Sequence, residues 1–430
     1  MDADLPKSVS SRASDQRVLV YNSVSMLLPF FVNLVVVFSL SPIMVQRLGN
    51  RDYGIWEVLL GLVGYLGVLD LGVGPALVRY VSYAKERKDD RALGQTLHTG
   101  LLLLTCAGSM AFLLLASLPF LPAQVSPLPP EEARSFAPLL MLLGTNLLIS
   151  FPCAALSAYL LGLQKHRFVN MYSVITAVAE AVAAYCILVS PPTNKLVLLC
   201  AMKLVFTIAR SIVYLIWVAN TGVRVRFSVT DLRWPLCRQL IAFGLKNSLL
   251  FGAYALIRSM ILLVITHFVG VAAVVFFVIP SRLVEYAYAP ADSIGHPLFP
   301  FFTALAAKRD MVAIRKAWLH TTRLLQLLTI GISVAVVWLG EPFIRRWMGP
   351  QYASLGYTPL LILTAGLFVK GIAVNANRLL MSLARHGQIA VFTAGAAIVC
   401  FGLSAPLTRI AGISGAALSV TLFMAVVGWW

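Results

Sequence analysis

Charge is the scarcest commodity in this chain. Asp, Glu, Lys and Arg make up only 12% of its 430 residues, against roughly 25% in a soluble domain. Acids are the rarer sign, 17 against 34 Lys and Arg. A water-soluble fold of this composition would have too little polar surface to cover itself, which excludes soluble enzymes and soluble binding modules. Strand-length alternation is missing, so a β-barrel is excluded too. The six cysteines, Cys106, Cys153, Cys186, Cys200, Cys237 and Cys400, form no CxxC and no paired set. They read as small hydrophobes, with neither a disulfide framework nor a metal centre. His98, His267 and His320 lack metal-ligand spacing. No Gly-rich loop follows a strand, so no nucleotide site is expected, and no cofactor.

What the chain has is apolar length. Hydrophobic residues reach 59%, and mean hydropathy is +0.85. Runs of around 20 apolar residues mean membrane-spanning helices. Reading them between polar breaks gives twelve spans: 20–47, 53–83, 92–120, 135–162, 168–190, 195–220, 237–267, 271–305, 313–340, 353–383, 388–408 and 412–430. The fold class is an all-α, multi-pass integral membrane protein. The polar opening MDADLPKSVSSRASDQR precedes an apolar run too long for a signal-peptide core, so that run reads as the first permanent span.

The net charge of +17 would suggest nucleic acid in a soluble protein. Here it is first of all topogenic, and no nucleic-acid partner is expected. The N-terminus and every second loop hold 15 Lys and Arg outside the spans, and the alternate loops hold 5. That bias places the N-terminus in the cytoplasm. The longest outward loop, near 120–135, is Pro-rich and too short for a folded domain.

The chain also matches itself at an offset of 221–222. Asp70 pairs with Asp292 and Pro75 with Pro297, so DLGVGP echoes DSIGHP. Leu97-His98-Thr99 pairs with Leu319-His320-Thr321, and Pro138-Leu139-Leu140 with Pro359-Leu360-Leu361. Six helices separate equivalent positions, so both halves insert the same way up. Two parallel six-helix lobes around a central cavity follow, residues 1–220 and 221–430. The repeat puts the counterpart of span 195–220 at a helix ending near 441, beyond Trp430.

Part of the charge lies inside the spans. A charge at mid-bilayer costs about 2.5–3.5 kcal/mol on insertion scales, so such residues face protein or water. They are Glu57, Asp70, Arg79, Glu180, Lys203, Arg210, Lys246, Arg258, Arg282, Glu285, Asp292, His296, Arg323, Lys370 and Arg378. Arg79, Arg210, Arg323 and Arg378 lie near span ends, where snorkelling competes as an explanation. In the eighth span Glu285, Ala289, Asp292 and His296 share one face, with Arg282 one turn before Glu285 and placed to pair with it. Pro280, Pro290, Pro297 and Pro300 interrupt the same span. Freed backbone groups need partners or water, so this span is expected to line a hydrated cavity. Its mate, the second span, carries Glu57, Gly61, Gly64, Val68 and Pro75 on one face; close helix packing explains such glycines equally well. Lys246 and Arg258 lie deep in the seventh span. They suit a phosphate or diphosphate, Arg as a fork and Lys as a point charge. An ion pair of Arg258 with Glu285 is the competing explanation.

The run LGNRDYGIWEVLLGLVGYLGVLDLGVGPALVRYVS (48–82) resembles the second-helix region of bacterial Wzx-type flippases. These belong to the multidrug/oligosaccharidyl-lipid/polysaccharide exporter superfamily. YGIW and LDLGVG carry the likeness, and the twelve-span layout extends it over the whole chain. The resemblance implies a V-shaped cavity formed mainly by spans 1, 2, 7 and 8. It implies an undecaprenyl-diphosphate-linked oligosaccharide moved outward across the bacterial inner membrane, with a polysaccharide polymerase and glycosyltransferases as partners. Cationic cavity residues would then fall on Lys246, Arg258, Arg282 and Arg79. Asp70, Glu57, Glu285, Asp292 and His296 become the candidates for ion coupling or gating. Two alternatives stand beside it: a drug or cation exporter of the same superfamily, which favours a net acidic cavity, and a membrane glycosyltransferase or polymerase, which needs an outward sugar-binding loop this chain has little room for.

The topology makes the first testable prediction. Alkaline phosphatase fused after Pro127 should be active, and fused after Lys88 inactive; the reverse pattern would invert the orientation.

Overall fold

The computed structural model describes residues 9–120, 136–191, 194–221, 234–295, 297–308, 310–383 and 386–429, with side chains from Leu28 onward except at 246–251, 300, 307, 372–373, 386 and 428–429. Among the described residues every regular element is a helix. They are α1 (Val9–Leu66), a 3-10 turn (Gly67–Asp70), α2 (Val73–Glu86), α3 (Asp90–Ser117), α4 (Ala137–Gly162), α5 (His166–Val189) and α6 (Lys195–Ala219). Then come α7 (Trp234–Phe268), a second 3-10 turn (Val271–Ala273), α8 (Val274–Gly295), α9 (Leu298–Ala307), α10 (Met311–Trp347), α11 (Pro350–Ser382) and α12 (His386–Trp429).

Nine described stretches are long and apolar enough to cross a membrane. The two longest, Leu28–Asp70 and Gly387–Val427, are each two helices meeting at one non-helical glycine, Gly49 and Gly412. Dividing them there and adding α7 yields the twelve expected spans. The polar break at 48–52 is thus almost wholly helical. A single glycine does the work of a loop because its φ of +78° is open to a residue without Cβ.

The internal repeat is visible as structure. Gly49 stands between the first two spans and Gly270, with φ +109°, between the seventh and eighth. Asp89 caps α3 by accepting the Ala92 N–H at 2.9 Å, and Asp310 caps α10 by accepting the Ala313 N–H at 2.9 Å. Both pairs sit 221 residues apart, the offset of the repeat. Capping by Asp satisfies one of the orphan donors of a helix start.

Packing follows the two halves. In the first, α1 lies on α5, α2 and α3 on α4, and α4 on α6. In the second, α7 lies on α12, α12 on α11, and α11 on α8, α9 and α10. The halves meet chiefly where α1 and α2 touch α7, α8 and the Val271–Ala273 turn. The result is two six-helix lobes joined along the spans that the repeat makes equivalent.

Both of those equivalent spans are broken, as the glycines and prolines led us to expect. The second span stops at Leu66, and Leu71 and Gly72 both turn left-handed, at φ +49° and +68°. A leucine in that region is strained by roughly 1–2 kcal/mol. The side chain of Asp70 restarts the helix by accepting the Gly74 N–H at 3.2 Å. The eighth span breaks between Gly295 and Leu298, with Pro297 as the cap of α9. Pro280 and Pro290 lie inside α8 without ending it.

The first break is held by a backbone crossing. A Cβ on Gly72 would lie 2.5 Å from the Gly244 carbonyl oxygen, and a Cβ on Gly244 would lie 2.2 Å from that of Leu71. Only two glycines allow the seventh span this close to the break. Gly244→Val should therefore destabilise the protein by about 1–3 kcal/mol, the usual cost of overpacking. Gly67→Ala, with open space around it, should be neutral. Thermal unfolding in mild detergent checks both; equal effects would contradict the crossing.

Candidate functional site

The site grows from α8. Its Arg282 reaches across the lobe interface into the N-terminal half. One guanidinium nitrogen donates to Ser41 Oγ at 3.0 Å and Tyr53 Oη at 2.8 Å, and the other to Glu57 Oε1 at 2.6 Å. Glu57 is buried and Tyr53 wholly so. Arg282 therefore pairs with Glu57, and not with Glu285 as its place one turn before that residue had suggested. The i,i+3 spacing offers a more exposed partner, whereas Glu57, buried across the interface, is costly without a cation beside it.

Around this pair the lobes are closed. Trp347 Nε1 donates to the Phe38 carbonyl at 2.7 Å, and Tyr352 Oη to Asn50 Oδ1 at 2.6 Å. The Phe38 ring packs edge-on against Tyr286 with centroids 5.4 Å apart. At Gly54 a Cβ would fall 2.1 Å from the Val271 carbonyl oxygen. The Tyr352–Asn50 and Gly54–Val271 contacts lie beside the Gly49 and Gly270 turns, and those of Phe38 about three helical turns further along α1.

Behind α8 lies a cavity of 380 Å³ within the C-terminal half, lined by α7, α8, α11 and α12. Arg258 and Glu285 face each other in it at 3.0 Å, so the competing ion pair exists. It is an open one: the Arg258 side chain is 70% exposed. Lys370 enters from α11, its ammonium 4.9 Å from the centre of the Tyr288 ring. Tyr254, Phe277 and Phe423 supply apolar wall. Two cations and one carboxylate leave a positive surplus.

Below it Arg378 donates to Asp292 Oδ1 at 2.7 Å and to the Asp292 carbonyl at 3.0 Å. Arg378 is buried, so it does not snorkel. Gly295 makes the room: a Cβ there would lie 1.8 Å from an Arg378 nitrogen. Thus α8 carries ion pairs to three helices, Arg282 to α1, Glu285 to α7 and Asp292 to α11.

Of the expected cavity cations, the three whose side chains are described lie in different places. Arg258 lines the C-terminal cavity and Arg282 sits in the interface. Arg79 is exposed on α2, 4.8 Å from the Phe243 ring centre. Asp70 serves the helix break. The side chains of Lys246 and His296 lie outside the described residues. Lys370 was legible as a charge inside a span but had not been placed in the cavity. Its eight-residue spacing to Arg378 puts both on one face of α11, a signal that would have found them.

No family model matches the sequence, and no curated protein matches it. Solved structures do match. An inward-facing multidrug resistance transporter of the MATE family superposes with a TM-score of 0.75 at 12% identity, covering 94% of this chain and 92% of that one. The chain has the fold of the MOP superfamily. The lipid II flippase MurJ, in an inward closed conformation, shares it with a TM-score of 0.73 at 12% identity, over 94% of this chain and 86% of that one. An outward-facing MATE-family structure scores 0.59 at 13% identity, over 96% and 93%. These MOP-fold neighbours are membrane transporters.

Removing one partner of the buried pair tests the interface. Arg282→Ala leaves Glu57 uncompensated and should cost about 3–5 kcal/mol of stability. Adding Glu57→Leu should recover more than half of it in reversible unfolding. A single variant within 1 kcal/mol of wild type, roughly the scale of a surface pair, would contradict the account.

Proposed function

We propose that this protein is a flippase that moves a polyprenyl-diphosphate-linked oligosaccharide from the cytoplasmic to the periplasmic leaflet of the bacterial inner membrane. The observation that carries the reading is the cation surplus of the C-terminal cavity. Arg258 and Lys370 line it with a single carboxylate, Glu285, among aromatic walls. A diphosphate completes such a site, with Arg as a fork and Lys as a point charge. Tyr and Phe faces suit the apolar faces of sugar rings.

In this reading residues 1–220 and 221–430 are lobes that rock against each other. The contacts of Arg282, Trp347 and Tyr352 shut the outward side, so the cavity opens to the cytoplasm. The likeness to inward-facing neighbours supports that state. The lipid tail stays in the bilayer. Arg79 guards the inner rim. Among the carboxylates, Glu285 couples substrate to an ion, and Glu57 gates the outward side through Arg282. Asp70 and Asp292 hold the two broken spans, with His296 next to the second break. The N-terminus is cytoplasmic. The implied partners are glycosyltransferases that load the carrier and a polymerase that consumes it.

A second reading is a drug or cation exporter. The MATE-family likeness and the aromatic wall favour it, and the positive surplus opposes a cationic drug.

The variant Arg258→Ala/Lys370→Ala should insert normally yet lose at least tenfold in surface polysaccharide, with lipid-linked repeat units accumulating inside the cell. Wild-type polysaccharide display by this variant, or drug resistance on expression of the native protein without a polysaccharide phenotype, would overturn the proposal.

A further inference from the structure

The N-terminal half holds a second cluster of charges, on α5 and α6. On α5, Glu180 accepts from Lys203 Nζ at 3.4 Å and from an Arg210 η-nitrogen at 3.2 Å. Both cations lie on α6, seven residues apart and so on one face. Arg210 is nine residues from the helix end at Ala219, about 14 Å along the axis. Snorkelling over that depth is not what its side chain does; it turns inward to Glu180. The cluster carries two positive charges and one negative, a surplus of one at a depth where uncompensated charge is costly.

Beside it opens a cavity of 420 Å³. Its polar wall is Ser150, Cys153 and Ser157 of α4, Asn170 and Ser173 of α5, and Thr207, Arg210 and Tyr214 of α6. No carboxylate is among its lining residues. Two donors are unspent. Arg210 Nε is buried with no hydrogen-bond partner. Thr207 is also buried, and its oxygen accepts from Asn146 Nδ2 at 2.8 Å, which leaves its own hydrogen to donate. A space bounded by hydroxyls and a guanidinium, with no acid and one surplus charge, selects an anion. The surplus of one selects a monovalent anion.

We infer that this chamber is a chloride site, held by the Arg210 guanidinium and the Thr207 hydroxyl. Glu180 is its rival, because it competes with the ion for the same guanidinium. The site lies wholly in the N-terminal lobe, so it stands apart from the identity of the transported substrate.

The test titrates chloride against gluconate at constant ionic strength into the purified full chain in detergent, and reads the thermal unfolding midpoint. Chloride should raise the midpoint saturably. Arg210→Gln and Thr207→Val should each weaken the apparent chloride affinity at least tenfold. Glu180→Gln should strengthen it, since it frees the guanidinium. If Arg210→Gln fails to fold, Thr207→Val decides alone. A wild-type midpoint indifferent to chloride overturns the site, as does a chloride effect undiminished in Thr207→Val. No lipid substrate enters the measurement, so its outcome is independent of the flippase reading.

Discussion

The structure turns on one guanidinium. Arg282 leaves the C-terminal half on α8 and ends among Ser41, Tyr53 and Glu57 of the N-terminal half. A charge of either sign there is expensive alone, and together they are tolerable because the hydrogen bonds are complete. Under the proposed function, a pair of this kind is the contact that lobes must break and remake as they separate and rejoin. Contacts of Trp347 and Tyr352 with α1 and the adjoining turn depend on the same register between the halves.

Close backbone approach sets what can move around that contact. Gly72 and Gly244 bring the seventh span against the break in the second. Gly54 does the same at the other end of the interface, against Val271. Between these points the second and eighth spans are each cut into two pieces. Asp70 recaps the second piece of one span, and Pro297 starts the second piece of the other. A rigid pair of lobes with jointed contact helices is a structure in which small rotations have somewhere to go.

The layout of the chain was written openly in its sequence, because the bilayer demands long apolar helices and leaves little else possible. The twelve spans, the repeat and the two broken helices were all legible. The one-residue joints at Gly49 and Gly412 were not, since a polar break reads as a loop whether or not it stays helical. Spacing along one helix misled for Arg282, which passes over Glu285 for Glu57, while Arg258 with Glu285 was legible across two helices. Glu57 and Arg282 are 225 residues apart, and Asp292 and Arg378 are 86 apart, so no spacing rule pairs them. Arg378 near a span end read as well for snorkelling as for burial; the bare Cα of Gly295 decided it. The expected cations read as one site because charge inside a membrane is rare, but of those described Arg282 lies in the interface, Arg258 in a cavity and Arg79 on the exposed face of α2.

What unites these features is a helical chain that joins its halves through one buried ion pair and keeps Arg258, Lys370 and Glu285 around a cavity in the C-terminal half. The most direct measurement reconstitutes the purified protein in liposomes and follows a short-chain polyprenyl-diphosphate oligosaccharide between leaflets, read by lectin access at the outer face. The account predicts movement well above that of protein-free vesicles, lost in Arg258→Ala/Lys370→Ala. Movement no faster than in protein-free vesicles, with efflux of a fluorescent cationic drug from the same liposomes, would contradict it.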